Sequence, residues 1–171
     1  NDMLNDIYAA IQYLKNNAST YKLRTDKAGI AGHSAGGHLS LLYAYKVTNS
    51  PIPISVVMSL AGPTDFTDPN YNFLTRFTIA AVTGVMWWLG DPPAQWIDAS
   101  PITHVSYGKP YTVLTYGTAD TLVPYSNGTR LQSKLSQYSV PHQLITIQGG
   151  DHIVPFALTP ELINPFISAL S

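Results

Sequence analysis

Three near-continuous apolar runs limit what this chain can fold into more than any other feature of its sequence. They cover residues 53–63, 110–117 and 142–150, are rich in β-branched and other apolar residues, and stop at glycine or proline. Such runs are typical of strands buried on both faces, as in a parallel sheet. A shorter apolar run at 27–31, which ends at Gly32, predicts a further buried strand.

Segments with helical periodicity alternate with these runs. They cover residues 3–16, 35–47, 126–140 and a C-terminal stretch that begins after Thr159. Pro165 interrupts the pattern of that last segment. Because strands that alternate with helices imply βαβ units, the sequence predicts an α/β fold with a mostly parallel sheet flanked by helices. Residues 66–106 do not alternate, and their aromatics and prolines predict an irregular helical insertion.

The composition excludes several classes of function. The 171 residues suit one domain, 1–171, and a net charge of -1 gives no electrostatic reason to expect nucleic acid as a partner. The chain contains no cysteine, which excludes thiolate metal sites, and its histidines lack the spacing of a zinc site. No stretch approaches the roughly 18 apolar residues of a membrane span, and no signal peptide is visible. We therefore expect a soluble protein without cofactor or metal, whose compartment the sequence leaves open.

Residues Gly32 to Gly36 fit the pattern G-x-S-x-G, with Ser34 at its centre. This pattern marks a sharp strand-to-helix turn that holds a nucleophilic serine in a strained backbone conformation, with glycines where side chains would collide. The pattern alone is weak. Its context supports it, because a predicted strand precedes Ser34 and a predicted helix follows, and the start of that helix directs backbone N–H groups towards the site.

A nucleophilic serine needs a base, and the chain has five histidines. We expect His33 and His38, which flank Ser34, to pack or cap, while His104 lies in the insertion and His142 opens a strand. His152 directly follows the last predicted strand. A loop at the carboxyl edge of a parallel sheet would bring it to Ser34, so His152 is the predicted base.

The base needs an acid to orient it, and two aspartates are serious candidates. Asp120 follows the strand 110–117, and Asp65 follows the strand before it in the same way. Asp151 is too close to His152 in sequence to orient its ring easily. The order serine, aspartate, histidine holds with either Asp65 or Asp120, so chain order does not separate them.

Three segments together resemble the α/β-hydrolase superfamily, in its small carboxylesterase and prolyl-oligopeptidase-like branch. The segments are GHSAGGHL around Ser34, YGTADTLVP around Asp120 and GGDHIVP around His152. The second is similar to the Gly-x-x-Asp-x-x-Val-Pro segment that carries the family's catalytic aspartate. The resemblance therefore implies Ser34, Asp120 and His152 as the triad, with the Ala35 N–H as an oxyanion donor.

The family also has a His-Gly-Gly-type loop upstream of the nucleophile, and the 33 residues before Ser34 contain none. We therefore expect the sequence to correspond to the C-terminal portion of such a fold, N-terminally incomplete and lacking half the oxyanion hole. The strand 27–31 would then be an unpaired sheet edge, which favours aggregation or a homo-oligomer.

The leading hypothesis is a carboxylesterase-type serine hydrolase that acts on small or medium ester substrates. A formamidase or amidase that uses the same triad is the near alternative, and a catalytically inactive binding module is the alternative from another class. His33 and the insertion aromatics Trp87 and Trp88 are candidates for substrate binding, although aromatics also fill cores.

Overall fold

A computed structural model describes residues 2–87, 89–153 and 159–171. Its described part contains four strands, seven α-helices and a 3₁₀ helix. The strands are β1 (Ala28–His33), β2 (Ile54–Leu60), β3 (Tyr111–Gly117) and β4 (His142–Ile147). The helices are α1 (Asp2–Asn16), α2 (Ala18–Tyr21), α3 (Ala35–Lys46), α4 (Phe73–Thr83), α5 (Ala94–Asp98), the 3₁₀ helix (Pro101–His104), α6 (Ser126–Gln137) and α7 (Pro160–Ser168).

The four strands form one open, fully parallel sheet in the order β1-β2-β3-β4. Helices α3 and α6 pack on one face through a core that includes Leu41, Leu114 and Leu131, and α7 packs on the other face through Leu162. Helix α1 lies against α3, where Leu4 contacts the Leu42 region. The α/β fold with a parallel sheet flanked by helices, predicted from the sequence, is confirmed.

The two central strands differ from the two edge strands in burial. Five of the seven residues of β2 and six of the seven of β3 are buried. In β1 and β4 every residue is half-buried or exposed. The prediction that 27–31 and 142–150 are buried strands was wrong on this point, because each has one strand neighbour in the described part of the chain.

Turns shorten two of the predicted strands. Strand β2 ends at Leu60 rather than at residue 63, because Ala61 turns the chain with a φ of 49°. Strand β4 ends at Ile147, because Gly150 N–H donates back to the Ile147 carbonyl at 3.0 Å. Helix α7 continues through Pro165 without a break. The segment 66–106 is the expected helical insertion and contains α4, α5 and the 3₁₀ helix.

Candidate active site

Ser34 lies in the turn that joins β1 directly to α3. Its backbone has φ 54° and ψ −121°, a conformation that a residue with a side chain seldom adopts. Its N–H donates to the Leu60 carbonyl of β2 at 2.8 Å, which fixes the turn against the sheet. A methyl group on Gly32 would overlap the main chain of Gly36, so the first glycine of the motif allows the close approach of strand and helix.

Gly36, the second glycine of the motif, does not lie where a side chain would collide, contrary to what the sequence suggested. A Cβ atom at Gly36 would meet no described atom within 4 Å apart from its chain neighbours and the backbone of its own helix. The next residue is the crowded one, because a Cβ at Gly37 would lie 2.7 Å from Ser59 Oγ of β2. Close packing of α3 on the sheet therefore depends on Gly32 and Gly37.

The loop after β4 brings His152 to Ser34. The Nε2 atom of His152 lies 2.9 Å from Ser34 Oγ. Its Nδ1 atom lies 2.8 Å from Asp120 Oδ2. A proton on Nδ1 donates to the carboxylate, which leaves Nε2 as the acceptor for the Ser34 hydroxyl. The three side chains that the sequence singled out therefore form one continuous hydrogen-bonded chain.

Asp120 is held by the turn that follows β3. Its side chain has 0% exposure. Its Oδ1 atom accepts hydrogen bonds from the backbone N–H groups of Leu122 and Val123, at 2.8 and 2.9 Å. Because one oxygen is occupied by the backbone, the other is oriented towards His152. These bonds also compensate the burial of the charge.

Asp65, the alternative acid, has other partners. Its Oδ2 atom accepts from Arg130 Nε at 2.9 Å, and its Oδ1 atom accepts from the Thr67 backbone N–H at the same distance. The adjoining loop is tied to α6 by the buried side chain of Asn127, whose Oδ1 accepts from the Thr64 and Asp65 N–H groups. Asp65 thus belongs to a contact between the β2 loop and α6.

The remaining histidines bind backbone carbonyl groups. His38 stacks on Phe66, with ring centroids 4.7 Å apart, and its Nε2 donates to the Ala99 carbonyl at 2.8 Å. Burial lowers the pKa of His38, because the cation would lose its water, and this outweighs the opposite effect of the hydrogen bond. His104 contacts the Asp98 carbonyl, and His142 contacts the Val140 carbonyl.

A pocket of about 290 Å³ opens beside Ser34 and His152. Most of its wall is apolar. Its other lining residues are Met3, Ala35, His38, Leu39, Pro63, Phe66, Leu74, Thr75, Thr78, Ile79, Val82, Leu122 and Val123. Helix α4 supplies five of these residues, and their spacing of three and four along the helix is the signal that could have identified this wall from the sequence.

Of the three residues suggested for substrate binding, two are not in the pocket lining and one lies outside the described residues. Trp87 packs edge-on against Trp96, with ring centroids 5.2 Å apart, and is not among the described residues that line the pocket. His33 is also absent from that lining, and its Nε2 lies 2.8 Å from the His152 carbonyl oxygen. Trp88 lies outside the described residues. Ala35, suggested as an oxyanion donor, begins α3 and lines the pocket.

Within 2–87, 89–153 and 159–171, no three histidine, cysteine, aspartate or glutamate residues are grouped so that they could hold a metal ion. No helix in the same ranges combines the length and the apolarity that a membrane crossing requires.

The architecture is that of the α/β-hydrolase fold. A truncated form of a carbohydrate esterase from gut microbiota superposes with a TM-score of 0.82 at 23% identity, over 98% of this chain and 67% of that chain. An acetyl ester-xyloside bifunctional hydrolase from Caldicellulosiruptor lactoaceticus superposes with a TM-score of 0.72 at 19% identity, over 98% of this chain and 65% of that chain. The BD-FAE family profile matches residues 1–135, and the chain belongs to this family.

One relative is similar to this chain in sequence over most of the chain's length. The chain is 28% identical over 151 residues to the probable carboxylic ester hydrolase LipM of Mycobacterium tuberculosis. The match covers 81% of this chain and 34% of LipM, so the chain spans about a third of that relative's length.

Proposed function

We propose that the chain acts as a serine hydrolase that cleaves carboxylic esters through an acyl-enzyme at Ser34. The observation that carries the proposal is the chain of hydrogen bonds from Ser34 Oγ to His152 Nε2, at 2.9 Å, and from His152 Nδ1 to Asp120 Oδ2, at 2.8 Å. Membership of the BD-FAE family and the similarity to LipM, which is named a probable carboxylic ester hydrolase, support it.

In the first half of the reaction, Ser34 Oγ attacks the carbonyl carbon of the ester. Its proton passes to His152 Nε2, and Asp120 stabilises the imidazolium ion through Nδ1. The negatively charged oxygen of the tetrahedral intermediate accepts a hydrogen bond from the N–H of Ala35. Ala35 lies in the first turn of α3, where backbone N–H groups lack partners within the helix. The intermediate expels the alcohol, which takes the proton from His152 Nε2.

In the second half, water attacks the acyl carbon on Ser34. His152 removes the proton of this water and returns it to Ser34 Oγ when the acid leaves. The acyl group occupies the pocket against α4. Because the pocket is close to 290 Å³ and mainly apolar, it suits an acyl group of small or medium size.

A burst experiment tests the proposal. The protein is mixed with p-nitrophenyl acetate, and the release of p-nitrophenol is followed before the steady state. We expect a burst of about one equivalent, because acylation of Ser34 releases the alcohol before water regenerates the hydroxyl. The Ser34→Ala variant should give no burst. Ser133→Ala, on the exposed face of α6, is the matched serine control and should behave as the unmodified protein.

Absence of both a burst and steady-state release of p-nitrophenol in folded protein would contradict the proposal and favour a binding module without catalytic activity. A burst that persists in Ser34→Ala would move the nucleophile to another side chain. Hydrolysis of an aryl formamide at a higher kcat/KM than the matching ester would favour the amidase alternative on the same three residues.

A further inference from the structure

The loop that carries His152 is held from two sides. On the β3 side, Ala119 N–H donates to the Gly150 carbonyl at 2.9 Å, and Gly149 N–H donates to Thr118 Oγ1 at 2.8 Å. On the other side, the His152 carbonyl accepts from His33 Nε2 at 2.8 Å. The first two bonds fix the beginning of the loop, whereas the third acts on the main chain of His152 itself.

His33 is well placed to fix the distance between Ser34 and His152. It is the last residue of β1 and immediately precedes Ser34, so its backbone moves with the nucleophile. Its ring lies 5.0 Å from the His152 ring, between centroids, with the planes inclined by 50°. One side chain therefore contacts both the ring and the carbonyl of His152.

The direction of this hydrogen bond defines a proton position. A carbonyl oxygen can only accept, so His33 Nε2 must carry a proton. The neutral His33 ring therefore has its proton on Nε2, whereas the His152 ring that accepts from Ser34 has its proton on Nδ1. The two neighbouring histidines need opposite tautomers.

We propose that His33 is a positioning residue that holds His152 at hydrogen-bonding distance from Ser34 by donating from Nε2 to the His152 carbonyl. The inference rests on the proposed function, because it assigns His33 a role in that reaction. His33 is not among the described residues that line the pocket, whereas His152 is, so we expect its effect on rate to pass through His152. Small displacements of a base relative to its nucleophile lower the rate without weakening substrate binding.

Kinetics of two substitutions test this role. His33→Phe keeps a ring of similar size but removes the donor, and we expect kcat to fall about tenfold with KM changed less than about twofold. His33→Gln places an amide N–H near the position of Nε2 and should restore kcat to within about threefold of the unmodified protein. His142→Phe removes a similar bond between a ring and a carbonyl, remote from the site, and should leave kcat unchanged.

Amide hydrogen exchange measures how often the loop opens, and it does not depend on catalysis. The Ile153 N–H, which donates to Asp151 Oδ1 at 2.9 Å, belongs to the loop segment 149–153. We expect this segment to exchange faster in His33→Phe than in the unmodified protein, and at the original rate in His33→Gln. If the protein proves inactive but the exchange follows this pattern, the proposed function fails while the contact made by His33 stands.

Nitrogen NMR of the unmodified protein, labelled in histidine, gives a test that needs no variant to fold. The neutral His33 ring should carry its proton on Nε2. Observation of the opposite tautomer at His33 would overturn the proposal. Unchanged kcat together with unchanged exchange in His33→Phe would do so as well, and so would a His33→Gln variant that loses as much activity as His33→Phe.

Discussion

Two aspartates follow neighbouring strands in the same way, and their partners differ. Asp120 Oδ2 lies 2.8 Å from His152 Nδ1, whereas Asp65 pairs with Arg130. Asp120→Asn should retain the fold but lower kcat about 10⁴-fold, because an amide favours the wrong tautomer of the imidazole. Measurements of kcat with p-nitrophenyl acetate, with thermal unfolding as the check on folding, test this expectation.

Asp65→Asn is the matched control for this substitution. It should mainly lower the melting temperature, because it weakens the contact of the β2 loop with α6. A larger loss of kcat in Asp65→Asn than in Asp120→Asn would transfer the role of the acid to Asp65.

His38 makes the stability of the fold depend on pH. Burial lowers its pKa below the ordinary value of 6.5. As the pH falls through that value, the unfolded chain binds a proton that the folded chain resists, so the free energy of unfolding decreases. We expect this decrease as the pH falls below about 6.5, and a smaller one in His38→Gln, whose amide can still donate to Ala99. Urea unfolding at several pH values measures the free energy of unfolding of both proteins. An equal dependence of this free energy on pH in the two proteins would contradict the assignment to His38.

At the scale of elements, helix α4 supplies the largest share of the pocket wall. Leu74 lines the pocket and is 68% exposed, whereas Phe73, beside it, is 66% exposed and is not among the described lining residues. Leu74→Ala should raise KM for p-nitrophenyl octanoate about fivefold relative to acetate, because the long acyl group loses apolar contact. Phe73→Ala should leave this ratio unchanged. The same ratio in both variants would place the acyl group elsewhere.

The sequence predicted the residues of the hydrogen-bonded chain better than the pocket wall. Ser34, Asp120 and His152 lie in the turns or loops after three strands, and the carboxyl ends of parallel strands meet at one edge, so their proximity could be inferred from chain order. The wall depends on how α4 packs across the insertion, which is a long-range property. Prominent aromatics drew attention to Trp87, although its ring packs on Trp96, and the less conspicuous Leu74 lines the pocket.

At the scale of the whole molecule, the sheet has an open edge at β1. In the described part of the chain, β1 pairs with β2 alone, and Ala31 on β1 is exposed. We expect the 171-residue chain to self-associate through this edge. Ala31→Lys should reduce the association, because a charged side chain opposes pairing of strands between molecules.

Light scattering over a range of concentrations tests the effect of Ala31→Lys. Ala9→Lys, an equivalent change on the exposed face of α1, is the control and should associate as before. A monodisperse monomer in the unmodified protein, or equal effects of both substitutions, would exclude the β1 edge as the contact.

The backbone conformation of Ser34 costs stability at the residue that we propose as the nucleophile. Its positive φ is one that glycine adopts without strain, and holding a side chain there costs about 1–3 kcal/mol. A chain optimised for heat resistance alone would therefore favour glycine at this position. Any campaign to stabilise this protein by selecting for survival at high temperature has to be combined with a selection for turnover, because the first would otherwise remove the proposed nucleophile.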